Sequence, residues 1–251
     1  MASRSRSPRS TASSAPPPAE AEPAVRAPRT DGNTTRAHIL ETAGRLFAER
    51  GFAASTSKEI CTRAGTNMAA VNYHFGGRDG LYEAVLVEAH RQIVSVDELV
   101  AQAGSGADPR ERLRAFLGHL VEMGHQPQAP WGFRVMLREA LSPSSALPVL
   151  IQKAVLPKAK VVRGLIGEIM GLADDHPSVQ RSVMFTVLPC IVLMVAPKEL
   201  GQRVLPAVRD TEALVDDLMR YVLAGLEAVA RDAGGQTAAA PAAPVRAGRR
   251  R

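Results

Sequence analysis

Aromatic residues are scarce, at 4% of 251 residues with a single tryptophan. A low share of aromatic and β-branched side chains beside abundant Ala, Leu, Glu and Arg argues against a sheet and for helices. Cysteine is scarcer still. Cys61 and Cys190 are too few for a disulfide framework or a four-cysteine zinc site. Long apolar runs are missing as well. The longest, between Val183 and Ala196, is interrupted by Pro189 and falls short of the ~20 residues that span a bilayer. It reads as a buried or subunit-interface helix, so no membrane partner is expected. The N-terminus has no apolar segment of the kind a signal peptide requires, and Pro16-Pro17-Pro18 spoils the amphipathic helix of a transit peptide. The cytoplasm is the expected compartment. Catalytic signatures are absent too: no G-x-S-x-G, P-loop or H-E-x-x-H occurs, and the six histidines are scattered without metal-ligand spacing. An enzyme is not expected, nor a cofactor, a metal site or catalytic residues.

What is present is a chain long enough to bury a real core, with a formal charge of +6. That charge is unevenly placed. Residues 1–33 carry five Arg against three acids, and residues 236–251 carry four Arg and no acid, while residues 34–235 are balanced. Both ends are rich in Ser, Pro, Ala and Arg and poor in large apolar residues. They read as disordered basic tails that add non-specific attraction to phosphates. The neutral middle divides into a mildly positive segment, 34–80, and a larger, mildly negative one, 81–235.

Segment 34–80 alternates helical signals with stops. Ile39, Leu40, Ala43, Leu46 and Phe47 form one helical face, with Thr34 or Thr35 as its cap and Gly51 as its end. Thr56-Ser57-Lys58-Glu59 matches a capping box, in which Thr and Glu satisfy each other's backbone N–H groups, and Gly65 stops the helix it starts. Asn67 caps a third helix, Met68 to about His74, closed by Gly76-Gly77. Asp79 opens a fourth. A helix, a tight turn and a short second helix make the helix-turn-helix pattern, whose second helix enters the major groove. Thr56 and Ser57 at a helix N-terminus suit a phosphate.

The stretch LFAERGFAASTSKEICTRAGTNMAAVNYHFGGRDGLYEAV resembles the DNA-binding region of the tetracycline-repressor (TetR) family. The resemblance lies in Leu46 to Phe52, Ala64-Gly65, Tyr73-His74-Phe75 and Arg78-Asp79-Gly80-Leu81. It implies an all-α dimer that binds a roughly palindromic double-stranded DNA operator and is released by a small-molecule effector. It places phosphate contacts at Thr56, Ser57, Tyr73 and Arg78, a base-edge contact at Lys58, and the groove-facing positions at Met68, Ala69, Asn72, Tyr73 and His74. Met68 departs from the polar residue common in the family, and Asn72 from an aromatic or His. Asn pairs with adenine, and Met or Ala touches a thymine methyl, so an A/T contribution to the operator is expected. Other roles stay open. Tyr73 could be half core, His74 could cap its helix, and Arg78 could be a solvated charge. Cys61 reads as a small packed residue.

Segment 81–235 is helical by period, an effector-binding and dimerisation domain. Its helices open at Asp108-Pro109, at Pro130-Trp131, at about Leu147 with a kink at Pro157, at His176-Pro177, and at about Thr211. The stretch FRVMLREALSP (133–143) is similar to an extended, antibiotic-responsive branch of the same family. Met123, Trp131, Phe133, Met136, Met170, Phe185, Cys190 and Met194 are candidate pocket walls, with ordinary core as the alternative for each. The helices 178–196 and 211–231 are the expected homodimer face, unless one or both are internal. The competing functions are a non-specific or architectural DNA binder acting through its basic tails, and an interaction protein with a vestigial motif.

Overall fold

The computed structural model describes residues 30–95, 106–126, 130–196, 199 and 203–238. The expected disordered arm and tail fall, apart from a few residues, outside the described residues. Among these the fold is all-α: α1 (Thr30–Arg50), α2 (Ser57–Arg63), α3 (Met68–Phe75), α4 (Arg78–Ile93), α5 (Pro109–His125), α6 (Trp131–Leu141), α7 (Leu147–Leu150), α8 (Leu156–Met170), α9 (Pro177–Val195) and α10 (Thr211–Ala238).

The starts follow local chemistry. Asp108 accepts a hydrogen bond from the Arg110 N–H (2.7 Å) and His176 Nδ1 one from the Ser178 N–H (3.1 Å). Pro109 and Pro177 follow at the first helical position, where the missing N–H is harmless. Three boundaries differ from the sequence expectation. α1 begins at Thr30, so Thr34 and Thr35 lie inside it rather than capping it. Its first two turns are polar, and an apolar period that starts at Ile39 cannot register them. α10 continues past Arg231 to Ala238. Pro157 produces a π-helical turn, Ile151–Val155, between α7 and α8. Proline offers no N–H to the Lys153 carbonyl, and the widened turn absorbs that loss.

Two cores form, and they do not follow chain order. The first gathers Ile39, Leu46, Phe47, Ile60, Val71, Leu81, Val85 and Leu86 from α1–α4, then Val135 from α6 and Leu150 and Ala154 beyond it. The second gathers Leu113, Leu117, Val121, Ile166, Val179, Cys190, Met219 and Leu226 from α5, α8, α9 and α10. Leu81 to Ala89 of α4 thus belong to the helix-turn-helix core although they lie beyond residue 80. Helix α6 is fastened to that core by close approach. A Cβ on Gly44 would sit 2.5 Å from the Trp131 ring, and one on Gly132 would sit 2.7 Å from the Ala89 carbonyl oxygen.

Helix α9 is built inside out. Its buried row is Ser178, Val179, Ser182, Thr186 and Cys190, while Met184, Phe185, Leu188, Ile191 and Val192 are exposed. Small residues let α9 approach α5 so closely that a Cβ on Gly124 would touch the Leu193 backbone at 3.4 Å. The 14-residue run read as too short for a bilayer extends, as a helix, back to Pro177. At 19 residues α9 has the length and composition to cross one. Its packing against α5, α8 and α10 accounts for it as a bundle helix.

Candidate nucleic-acid interface and effector cleft

The turn and the two short helices are set by side chains that cap the backbone. Thr56 Oγ1 accepts from the Glu59 N–H (3.2 Å). The reciprocal half of the capping box is missing. Glu59 instead binds Arg50 (2.8 Å) and Arg63 (3.4 Å), and Arg63 also binds Glu49 (2.9 Å), which ties α2 to the end of α1. Asn67 Oδ1 accepts from the Ala70 N–H (3.0 Å) and starts α3. Gly65 (φ 58°) and Gly76 (φ 73°) close the two helices in the left-handed region that favours glycine.

One face of α3 is anchored and the other is free. Val71 is buried and Phe75 half-buried, the latter under the Arg36 guanidinium at 4.9 Å. Met68, Ala69, Asn72 and Tyr73, spaced i, i+1, i+4, i+5, share the exposed face, and Tyr73 is 85% exposed. The half-core role left open for Tyr73 is therefore not what the structure shows. Thr56 and Lys58 are exposed and Ser57 half-exposed at the start of α2. Two expected members fall elsewhere. His74 is half-buried, its ring edge-on to Tyr73 (ring centroids 4.9 Å) and farther from Phe75 (6.2 Å), and the helix is capped by Gly76. Arg78 is turned inward. Its guanidinium stacks on the Phe52 ring at 4.0 Å and donates to the Phe52 carbonyl, joining the start of α4 to the loop before α2. The Phe52 ring and carbonyl hold that side chain, and motif spacing carries no sign of it.

The interface is tied to α6 by a polar clamp that the sequence reading missed. Arg138 donates to the Ala48 (3.3 Å) and Glu49 (3.1 Å) carbonyls at the end of α1, where a cation complements the helix dipole. Glu139, 2% exposed, accepts from Tyr82 Oη (2.8 Å) and from the N–H and Oγ of Ser144 (2.9 Å each). Burial, then the bond to Glu139, pushes the Tyr82 phenol well above its usual range. The legible signal was a carboxylate at i+4 from Val135 on the inward stripe of α6.

The eight candidate pocket residues do not converge. Trp131 and Met136 pack on the first core, Met170, Cys190 and Met194 on the second, Met123 is buried outside both, and Phe185 is 68% exposed. Phe133 lines neither core. Burial pushes the Cys190 thiol up to about 11, as for a core residue. An apolar cleft of about 400 Å³ instead lies between α4, α5, α8 and α9, walled by Phe116, Val162, Val183, Met184, Leu188 and Ile191 among others. None of the eight lines it. Lys158 sits in its wall, 6% exposed, and donates to His90 Nδ1 (2.6 Å) and to the His90 carbonyl (2.8 Å) near the end of α4. Burial lowers the Lys158 pKa to about 8, with Arg91 adding to the effect and Glu88 opposing it. Burial, then the neighbouring ammonium, lowers that of His90 to about 4. A larger hollow between α5 and α10, about 470 Å³, has Glu111, Arg114, Glu122 and Glu212 on its walls. Among the described residues no three His, Cys, Asp or Glu cluster as a metal site would need.

Comparison with known proteins covers both cores. Residues 39–85 match the model of bacterial regulatory proteins of the tetR family, and residues 109–226 match the C-terminal domain of the HTH-type transcriptional dual regulator CecR. The HTH-type transcriptional regulator AcrR of Shigella flexneri is 32% identical over 98 residues, 39% of this chain and 45% of that protein. TtgR of Pseudomonas putida is 36% identical over 66 residues, 26% of this chain and 31% of that protein. The chain thus spans less than half the length of these relatives. Among solved structures, SCO4454, a TetR-family transcriptional regulator from Streptomyces coelicolor, aligns at a TM-score of 0.53 and 24% identity, covering 80% of this chain and 96% of that one. AibR, solved with isovaleryl coenzyme A and operator DNA, aligns at 0.55 and 16% identity, covering 74% of this chain and 96% of that one. These two likenesses show the fold.

Proposed function

Because the chain belongs to the tetR family of bacterial regulatory proteins, we propose that it is a ligand-responsive transcriptional regulator, a repressor that binds a palindromic operator as a dimer. Segment 34–80 is the reading head and segment 81–235 the sensing and pairing unit, working in the cytoplasm. The observation that carries this reading is the free face of α3. A tyrosine at 85% exposure beside an exposed amide and thioether, on a helix capped at both ends, is a surface kept for a partner. Tyr73 with Thr56, Ser57 and Lys58 holds phosphates, and Met68, Ala69 and Asn72 meet base edges. Arg78 supports α4 from inside.

Two reading heads must enter successive major grooves about 34 Å apart, which a symmetric dimer supplies. The exposed stripe of α9, Met184, Phe185, Leu188, Ile191 and Val192, is the pairing face. α10 contributes less than expected, since Val215, Met219, Val222 and Leu226 are buried in the second core and Tyr221 and Val229 alone of its larger apolar residues stand out. A ligand that prefers a conformer with mis-spaced heads lowers DNA affinity by population shift. The test is selection of bound duplexes from a random pool. A palindrome is expected to emerge and to survive removal of residues 1–29 and 239–251, with a shallower salt dependence. Loss of selectivity with the tails would favour tail-driven coating of DNA and overturn this reading.

A further inference from the structure

We propose that the cleft between α4, α5, α8 and α9 binds an amphipathic anion, its charged head on Lys158 and its apolar body along Phe116, Val162, Met184 and Ile191. This names the ligand class of the regulator proposed above and rests on that reading for its effect on DNA, though not for binding itself. Three observations converge. The walls are apolar and the volume of about 400 Å³ suits a small molecule. The one ammonium in the wall is 6% exposed, and no carboxylate among the described residues lies within ion-pair distance of it. Glu88, the nearest acid by its influence, is engaged by Arg91 at 2.7 Å. Two of the three ammonium protons reach His90, a neutral ring nitrogen and a carbonyl, which leaves the charge uncompensated. A buried cation without a counter-ion is a site that an anion completes.

Position gives the ligand a consequence. Lys158 holds a carbonyl in the last turn of α4, whose first turn carries Arg78 and abuts the end of α3. An anion that draws Lys158 toward the cleft loosens the far end of the helix that supports the reading head. Met184, Leu188 and Ile191 also belong to the exposed stripe of α9, so the cleft and the proposed pairing face share side chains.

The test is calorimetric titration of the full chain, without DNA, by decanoate, 1-naphthoate, decan-1-ol and decyltrimethylammonium. Decanoate or 1-naphthoate is expected to bind about tenfold to a hundredfold more tightly than decan-1-ol, as a charge-assisted contact implies. The tighter acid tells whether the body is aliphatic or aromatic. Lys158→Met is expected to abolish the preference for the acid while leaving decan-1-ol binding in place, and Lys158→Arg to keep it. Equal binding of acid and alcohol by the unaltered chain, tightest binding of the ammonium compound, or an acid preference that survives in Lys158→Met overturns the proposal. The wild-type comparison stands even if Lys158→Met does not fold. Because DNA is absent, failure of operator selection and failure of anion binding are separate results.

Discussion

The two cores use buried charge in opposite ways. In the first, the Glu139 carboxylate is met by three donors, the Arg138 guanidinium by two helix-end carbonyls, and the aromatic rings interlock, with Phe52 stacked on Tyr82 at 4.3 Å and Phe47 edge-on to Tyr82 at 5.1 Å. Every polar group in that clamp has a partner inside the protein. In the second, the helices are aliphatic, α9 turns small residues inward and large ones outward, and Lys158 is buried without an anion. Two ion pairs there lie at the surface, Arg110 with Glu227 at 3.2 Å and Arg114 with Asp216, while in a third the Arg112 side chain, 12% exposed, reaches out to a half-exposed Glu168. Exposed pairs of this kind contribute little each. A fully satisfied polar network fixes a single arrangement. A cleft with an uncompensated cation leaves room for a second one, which a sensing unit needs and a reading head does not.

The sharpest way to break this contrast is to delete the charge on each side. Glu139→Ala leaves the Tyr82 hydroxyl and the Ser144 N–H unpaired in the first core, so unfolding in urea is expected to show a loss of about 3 kcal/mol. Gly132→Ala should follow at about 2 kcal/mol, because the new methyl meets the Ala89 backbone where α4 and α6 cross. Lys158→Met should act with the opposite sign, stabilising the protein by about 1–3 kcal/mol at neutral pH. The folded pKa of Lys158, about 8, lies below its ordinary 10.5, so the ammonium's cost is in full force below pH 8 and fades as pH rises to 10.5. The advantage of Lys158→Met over the wild type should fade across that same window, as thermal unfolding at pH 7 and pH 10.5 would show. A gain that persists at pH 10.5 would mean that packing, and not charge, sets the difference. The smallest effect on monomer stability belongs to Phe185→Asp on the outer face of α9, within about 0.5 kcal/mol. Its mark should be in association, with sedimentation shifting from dimer to monomer.

The fold was largely legible in the sequence, and the reading head more than the sensing unit. Thr56, Asn67, Gly65 and Gly76 mark boundaries through their own hydrogen bonds and φ angles, which are local properties. Rotation of a helix about its axis is legible only when one face is polar. The free face of α3, which carries Met68 and Ala69 beside Asn72 and Tyr73, was anticipated apart from His74 through the family resemblance and not by this rule. The condition also fails for α9, which is apolar nearly all round, so the inward turn of Ser182, Thr186 and Cys190 had no signal. The cleft escaped notice for a related reason. Sulfur and aromatic residues suit core and cavity walls alike, whereas the informative residue is a lysine in an apolar row, at i+4 from Ala154 and i−4 from Val162. Glu139 stands out of its stripe in the same manner. A charged residue on the inward face of an amphipathic helix deserves as much weight as an aromatic one.

Operator recognition through the free face of α3 is tested most directly by titrating Tyr73→Ala and the wild-type chain against the duplex that selection yields. Tyr73 is almost wholly exposed, so the variant should unfold at the wild-type temperature. Its affinity for the selected duplex should fall about tenfold or more, with the ranking of related sequences preserved, as loss of a phosphate contact implies. Unchanged affinity in a folded Tyr73→Ala chain would contradict recognition through α3.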